Sequence, residues 1–184
     1  MRRAALVACA LALGACATLP GPTTVPAPGP FVDAPFDVSG RLSARRGADG
    51  AAANFDWTHA PGRDEIALST PMGTTLARLT RDGEGATLER PDRPPERARD
   101  AAELAGRVLA FPLPVESLAW WIRAAPHPGS AHAIERDAGG RAATLRQDGW
   151  TVSYAYADGG ASQPQRLVAT YPDLEVRVVI DAWR

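Results

Sequence analysis

The sequence predicts a mainly β domain of the α+β class: a strongly curved antiparallel sheet, or incomplete barrel, with two helices packed over its open side. Three observations lead there. Short runs of period-two hydrophobicity occupy both ends of the chain, turn residues separate them at close intervals, and a helical block interrupts them midway. The 184 residues, 45% hydrophobic and 22% charged, fit one domain with a sizeable core.

The first strand is read from Phe36, Val38, Gly40, Leu42 and Ala44, which alternate with Asp37, Ser39, Arg41, Ser43 and Arg45. Gly47-Ala48-Asp49-Gly50 turns the chain, and Ala53, Phe55 and Trp57 then alternate with Asn54, Asp56 and Thr58. Pro61-Gly62 is the next turn, and Glu65 to Ser69 gives a third strand with Ile66 and Leu68 inward. Thr70-Pro71-Met72-Gly73 is a tight connection to a strand from Thr75 to Thr80, and Asp82-Gly83 leads to a short one around Thr87 to Arg90. These five strands form a meander.

The polar, proline-containing stretch from Pro91 to Arg99 breaks the pattern. Asp100 is placed to cap a helix from Ala101 to about Ala110, with Glu103 as its capping-box partner and Leu104, Val108 and Phe111 on one face. Pro112-Leu113-Pro114 ends it. A second helix, Val115 to Ala124, carries Val115, Leu118, Ala119 and Ile122 on one stripe beside Trp120 and Trp121, and Pro126 closes it. Strands resume with Ala142 to Gln147, then Trp150, Val152, Tyr154 and Tyr156, then Leu167, Ala169 and Tyr171, and last Leu174, Val176, Val178 and Ile180.

Ahead of this body, residues 1–15 read as a cleavable leader. Met1-Arg2-Arg3 is a positive n-region, and Ala4 to Ala12 is uncharged and apolar but far short of the ~20 residues that span a bilayer. The run ends in Leu13-Gly14-Ala15-Cys16, similar to the bacterial lipobox, in which the cysteine thiol forms a thioether to diacylglycerol. Cys16 is therefore expected to be the lipid-bearing mature N-terminus. Ala17 in place of an aspartate is similar to lipoproteins of the outer-membrane class. Residues 16–35 hold Pro20, Pro22, Pro26, Pro28, Pro30 and Pro35, and predict an extended, polyproline-like tether.

Composition excludes several function classes. All twenty basic residues are arginine, and losing Arg2 and Arg3 with the leader moves the formal charge from −1 to −3, so nucleic acid is not expected as a partner. The two cysteines, Cys9 and Cys16, leave the mature domain without a disulfide or thiolate metal site. His59, His127 and His132 stand beside proline, glycine or small residues and are expected in solvated loops, so no metal is predicted. No serine lies in a Gly-x-Ser-x-Gly elbow, Asp56 and Glu65 occur singly, and no glycine-rich phosphate loop is present. Neither an enzyme nor a cofactor is expected.

Several motifs in order resemble the outer-membrane lipoprotein receptor family LolB over residues 36–184. They are Gly40-Arg41-Leu42, Asn54-Phe55-Asp56-Trp57, Thr70-Pro71-Met72-Gly73, Pro112-Leu113-Pro114-Val115, Leu118 with Trp121, Asp148-Gly149-Trp150, and Ile180-Asp181-Ala182-Trp183. The sequence departs from the family near Ala124-Ala125, where glycine is usual. The resemblance implies a LolA/LolB-like half-open antiparallel β-barrel with an apolar cavity. It also implies a receptor that takes acylated lipoprotein cargo from the periplasmic carrier LolA and places it in the inner leaflet of the outer membrane.

On that basis Pro71, Met72 and Gly73 are expected to form a membrane-insertion loop with Met72 protruding, although Met72 folded back into the core is the alternative. Phe55, Trp57, Leu68, Trp121, Ile122 and Trp150 are expected to line an acyl-chain cavity, with packed core as the alternative for each tryptophan. A monomer is expected. A lipid-anchored scaffold without acyl-chain binding is the competing function.

Overall fold

The computed structural model describes residues 31–109 and 113–184. The expected leader, Cys16, and the tether up to Pro30 lie outside the described residues, as do Phe111 and Pro112.

Among the described residues eleven strands form one sheet, each pairing antiparallel with its neighbours. They are β1 (Phe36–Arg46), β2 (Asp49–Ala60), β3 (Arg63–Ser69), β4 (Thr75–Asp82), β5 (Gly85–Glu89), β6 (Glu96–Ala98), β7 (His132–Arg136), β8 (Ala142–Gln147), β9 (Trp150–Tyr156), β10 (Pro164–Tyr171) and β11 (Leu174–Trp183). Their spatial order is β6-β5-β4-β3-β2-β1-β11-β10-β9-β8-β7. Two meanders are thus joined in the centre, where β1 pairs with β11, so the end of the chain closes against its first strand. The terminal strands β6 and β7 do not pair with each other, which leaves the barrel open.

The alternation in the sequence is the physical origin of this curved sheet. Val38 and Ala44 in β1, Phe55 and Trp57 in β2, Ala77 and Leu79 in β4, Ala86 and Leu88 in β5, and Val176, Val178 and Ile180 in β11 are all buried. Their opposite-parity neighbours Arg41, Arg45, Asp56, Arg78 and Arg177 are exposed. Gly40 has a special role. A Cβ there would lie 2.1 Å from the Val179 carbonyl oxygen and 3.1 Å from the Phe55 ring. Only glycine lets β1 pass this close to β11, at a register shift between Ser39 and Gly40, with the Phe55 ring beside it.

Helices α1 (Ala101–Leu109) and α2 (Val115–Trp121) lie between the two meanders in sequence. Asp100 Oδ1 accepts the Glu103 backbone N–H at 2.8 Å, as an N-cap does. The reciprocal half of the expected capping box does not form: the Glu103 carboxylate pairs with Arg107 at 2.6 Å instead. Ala101 and Leu104 of α1 are fully buried, and the helix packs on β4, β5, β6 and α2. The C-terminal end of α2 reverses at Ala124, whose φ of 56° is left-handed. There the Ala124 and Ala125 N–H groups donate to the Trp121 and Trp120 carbonyls.

Two strands run through stretches expected to be irregular. The segment from Pro91 to Arg99 contains β6, and the stretch after Pro126 contains β7, which begins at His132. Both are short edge strands, and β7 shows a single half-buried residue, Ile134, among exposed ones. An edge strand that presents one face to solvent carries little period-two hydrophobicity to read.

A candidate acyl-chain cavity and membrane loop

Side chains from the sheet and both helices enclose a cavity of about 70 Å³. From the sheet come Leu42 of β1, Phe55 and Trp57 of β2, Ile66 and Leu68 of β3, Ala77 and Leu79 of β4, Leu88 of β5, Leu167 of β10 and Val178 of β11. The cover is Ala105 of α1, Leu113, Val115 and Leu118, and Ile122 at the end of α2. Every lining side chain is apolar. The volume is well below the ~300–1,000 Å³ of sites that take drug-sized ligands. A long acyl chain therefore needs more room than the cavity offers as it stands.

Of the residues expected in the cavity, Phe55, Trp57, Leu68 and Ile122 line it. Trp121 and Trp150 lie outside that lining. Trp121 is completely buried, donates its indole N–H to Gln147 Oε1 of β8 at 2.9 Å, and packs against Trp150 with ring centroids 5.7 Å apart. Trp150 in turn meets Tyr171 at 5.2 Å. An indole N–H that leaves water needs an acceptor, and Gln147 draws Trp121 toward the β8–β9 side. The same glutamine binds the start of the following loop, accepting from the His127 N–H at 2.9 Å and donating to the His127 carbonyl at 2.7 Å. This pair of contacts fixes the C-terminal end of α2 over the sheet.

Near the other meander a polar cluster holds the same helix end. His59 was expected in a solvated loop; it is instead the last inward residue of β2 and only 2% exposed. The alternation Ala53, Phe55, Trp57 simply continues to it. Its Nδ1 lies 2.7 Å from Asp64 Oδ1 and its Nε2 2.8 Å from Asp33 Oδ1. Asp64, buried on β3, also accepts from Trp57 Nε1 at 2.9 Å and from Arg81 Nε at 2.7 Å. Arg123, just past α2, donates to the carbonyls of Ala119 and Val32 and reaches Asp33, while its guanidinium lies over the Phe36 and Trp120 rings. The cluster thus ties the segment entering the body, the hairpin β2–β3 and the end of α2 into one unit.

Burial is the largest influence on the His59 imidazole and disfavours its charge, but the hydrogen bonds and charges of Asp64 and Asp33 outweigh it and raise its pKa above 6.5. Burial likewise works against the Asp64 carboxylate, and its bonds from His59, Trp57 and Arg81 outweigh that and lower its pKa. An imidazolium between two carboxylates is the consistent state, with both ring nitrogens donating.

The β3–β4 connection stands at the opposite extreme. Met72 is 93% exposed, between exposed Pro71 and Gly73. The loop beneath it is well held. Gly73 N–H donates to the Thr70 carbonyl and Thr70 N–H to the Thr74 carbonyl, both at 2.9 Å, and Thr74 N–H reaches Thr70 Oγ1 at 3.1 Å. Gly73 takes a φ of 86°, which a side chain would disfavour. Leu76, also exposed at 38%, follows on β4. Among the described residues the Met72 thioether packs on almost nothing and stands in solvent at the tip of the loop.

Residues 34–183 match the family described as outer membrane lipoprotein LolB. The chain belongs to that family. An outer-membrane lipoprotein LolB of Thiobacillus denitrificans is 40% identical over 185 residues, covering 100% of this chain and 98% of its own length. Another, from Chromobacterium violaceum, is 39% identical, covering 100% and 99%. Among solved structures, a LolA superfamily protein from Nitrosomonas europaea matches 84% of this chain and 87% of its own, with a TM-score of 0.50 at 9% identity. That likeness concerns the fold, a sheet left open and covered by helices.

Proposed function

We propose that this protein accepts acylated lipoproteins from a soluble periplasmic carrier of the LolA type and inserts them into the inner leaflet of the outer membrane. A lipid on Cys16 anchors it at the periplasmic face, and it works as a monomer, without cofactor or catalysis. The observation that carries this reading is the pairing of a wholly apolar cavity under a helical cover with a hydrogen-bonded loop that presents Met72 to solvent.

The energetics require both parts. A buried methylene contributes ~0.8 kcal/mol, so an acyl chain of about sixteen carbons carries on the order of ten kcal/mol and does not cross water unaided. The cavity supplies an apolar surface for the chain once it widens. The bilayer offers a larger one. Transfer then proceeds by differential affinity, from carrier to receptor to membrane, with no nucleotide. Met72 brings the cavity to the lipid surface, where the chain leaves it.

Titration of the protein with a palmitoylated peptide tests this directly, because Trp57 lines the cavity and reports on it. Saturable change of tryptophan emission, with a negative heat-capacity change by calorimetry, is expected. Unchanged emission and no heat at saturating peptide would leave a scaffold, not a receptor.

A further inference from the structure

The cavity face carries one polar group that the fold leaves unused. Tyr154 of β9 shares the inward parity of Trp150 and Val152, which are buried. Across the sheet it stands opposite Leu167, which pairs with Val178, which pairs with Leu42. Leu42, Val178 and Leu167 all line the cavity. Tyr154 is therefore the next member of a single row that crosses the concave face.

Its hydroxyl is buried and has no hydrogen-bond partner among the described residues. The neighbouring phenol shows what is normal: Tyr156 donates to the Ala142 carbonyl at 2.8 Å. Buried polar groups in folded proteins nearly always find a partner, and an orphan points to one that arrives with a ligand. Burial also pushes the Tyr154 phenol pKa up, so the group stays protonated and can donate.

A lipoprotein acyl chain is not apolar throughout. Each fatty chain of a diacylglyceryl group ends in an ester carbonyl, an acceptor that loses its water when the chain is buried. We infer that the Tyr154 hydroxyl is the donor for such a carbonyl, placing the head of one acyl chain at β9 while its methylenes run along Leu167, Val178 and Leu42. This assignment rests on the acyl-chain receptor reading above and adds to it a direction and a polar anchor. A chain held by methylenes alone could slide in either sense. One hydrogen bond at the end of the row sets which end leads.

The test uses the full chain carrying Cys16→Ala, which keeps it out of the bilayer, and two synthetic peptides. One bears an S-diacylglyceryl cysteine with ester-linked palmitoyl chains; the other replaces both esters by ethers, so that only the carbonyls are missing. The unsubstituted Tyr154 protein should bind the ester peptide roughly 3- to 10-fold more tightly than the ether peptide, the range for one net hydrogen bond. Tyr154→Phe should abolish that preference while keeping affinity for the ether peptide. The midpoint of thermal unfolding of the empty Tyr154→Phe protein should not fall, since the deleted hydroxyl has no bond to lose among the described residues. An ester preference that survives in Tyr154→Phe, or equal binding of both peptides by the Tyr154 protein, overturns the assignment and leaves the receptor reading standing. A lowered midpoint overturns it too, by showing a partner already present. If neither peptide binds the Tyr154 protein, the receptor reading itself fails, and the assignment with it.

Discussion

Met72→Glu separates receiving a lipoprotein from releasing it. At 93% exposure the side chain has no packing to lose, and the loop beneath it is held by three hydrogen bonds to Thr70 and Thr74 that do not involve it. The stability change should stay within ~0.5 kcal/mol, as for other surface substitutions, or a shift of no more than about 2 °C in thermal midpoint. Loading of cargo from the carrier depends on the cavity alone and should proceed at its normal rate. Release is different. A methionine transferred from water to an apolar phase gains ~1.5–3 kcal/mol, and the carboxylate replaces that gain with a desolvation cost. Insertion into liposomes should therefore slow by at least ~10-fold, since 1.4 kcal/mol corresponds to a factor of ten. The assay follows a fluorescent lipoprotein through both half-reactions, with the midpoint measured on the same preparation. Normal insertion at normal stability would remove Met72 from the mechanism, and a midpoint lowered by 10 °C or more would contradict its exposure.

Three further outcomes follow from the structure. Ala124→Gly should raise the thermal midpoint by a few degrees, because Ala124 holds a left-handed φ of 56° that costs an alanine ~1–2 kcal/mol and glycine very little; an unchanged or lower midpoint would show that the α2 end is not strained. The His59 cluster should make stability depend on pH. Because its pKa is raised on folding, its contribution is complete below about 6.5 and fades as pH rises through the higher folded value, while that of Asp64, whose pKa is lowered, fades only as pH falls below the carboxylate range. The midpoint should thus drop as pH rises above about 6.5 and do so less steeply in His59→Gln; parallel profiles would mean that His59 does not titrate with folding. Mass spectrometry of the membrane fraction should find an acylated Cys16 as the mature N-terminus, and Cys16→Ala should leave an unlipidated protein with the same midpoint; an unacylated native N-terminus would refute the anchor.

The strands that bury one face were legible because their alternation is strong, and Phe55, Trp57 and Leu68 could be placed on the inward face from parity, while the cavity itself came from the family resemblance. Parity did not say where along the curved sheet the cavity lies. Trp121 and Trp150 point inward yet sit beyond its lining, because Gln147 satisfies the Trp121 indole on β8. The His59–Asp64 pair was overlooked for a different reason. Pro61-Gly62 marked a turn and made His59 look like a loop residue, whereas a two-residue turn joins Ala60 directly to Arg63 and sets His59 opposite Asp64. The signal was there in the turn length. Tyr154 was likewise placed on its strand by alternation, but an unpaired hydroxyl is a property of the packed state and leaves no trace in the sequence. Edge strands β6 and β7 were missed because an edge need not bury a continuous face.

The most direct measurement of whether this protein delivers lipoproteins is its depletion in living cells, followed by fractionation of a second outer-membrane lipoprotein between the two membranes. The expected result is that the second lipoprotein fails to reach the outer membrane and accumulates with the periplasmic carrier and in the inner membrane, in step with loss of this protein. Restoring the protein with a native Met72 loop should reverse it, while Met72→Glu should not. An unchanged distribution of that lipoprotein after complete depletion would contradict a role in delivery, however well the cavity binds an acyl chain in isolation.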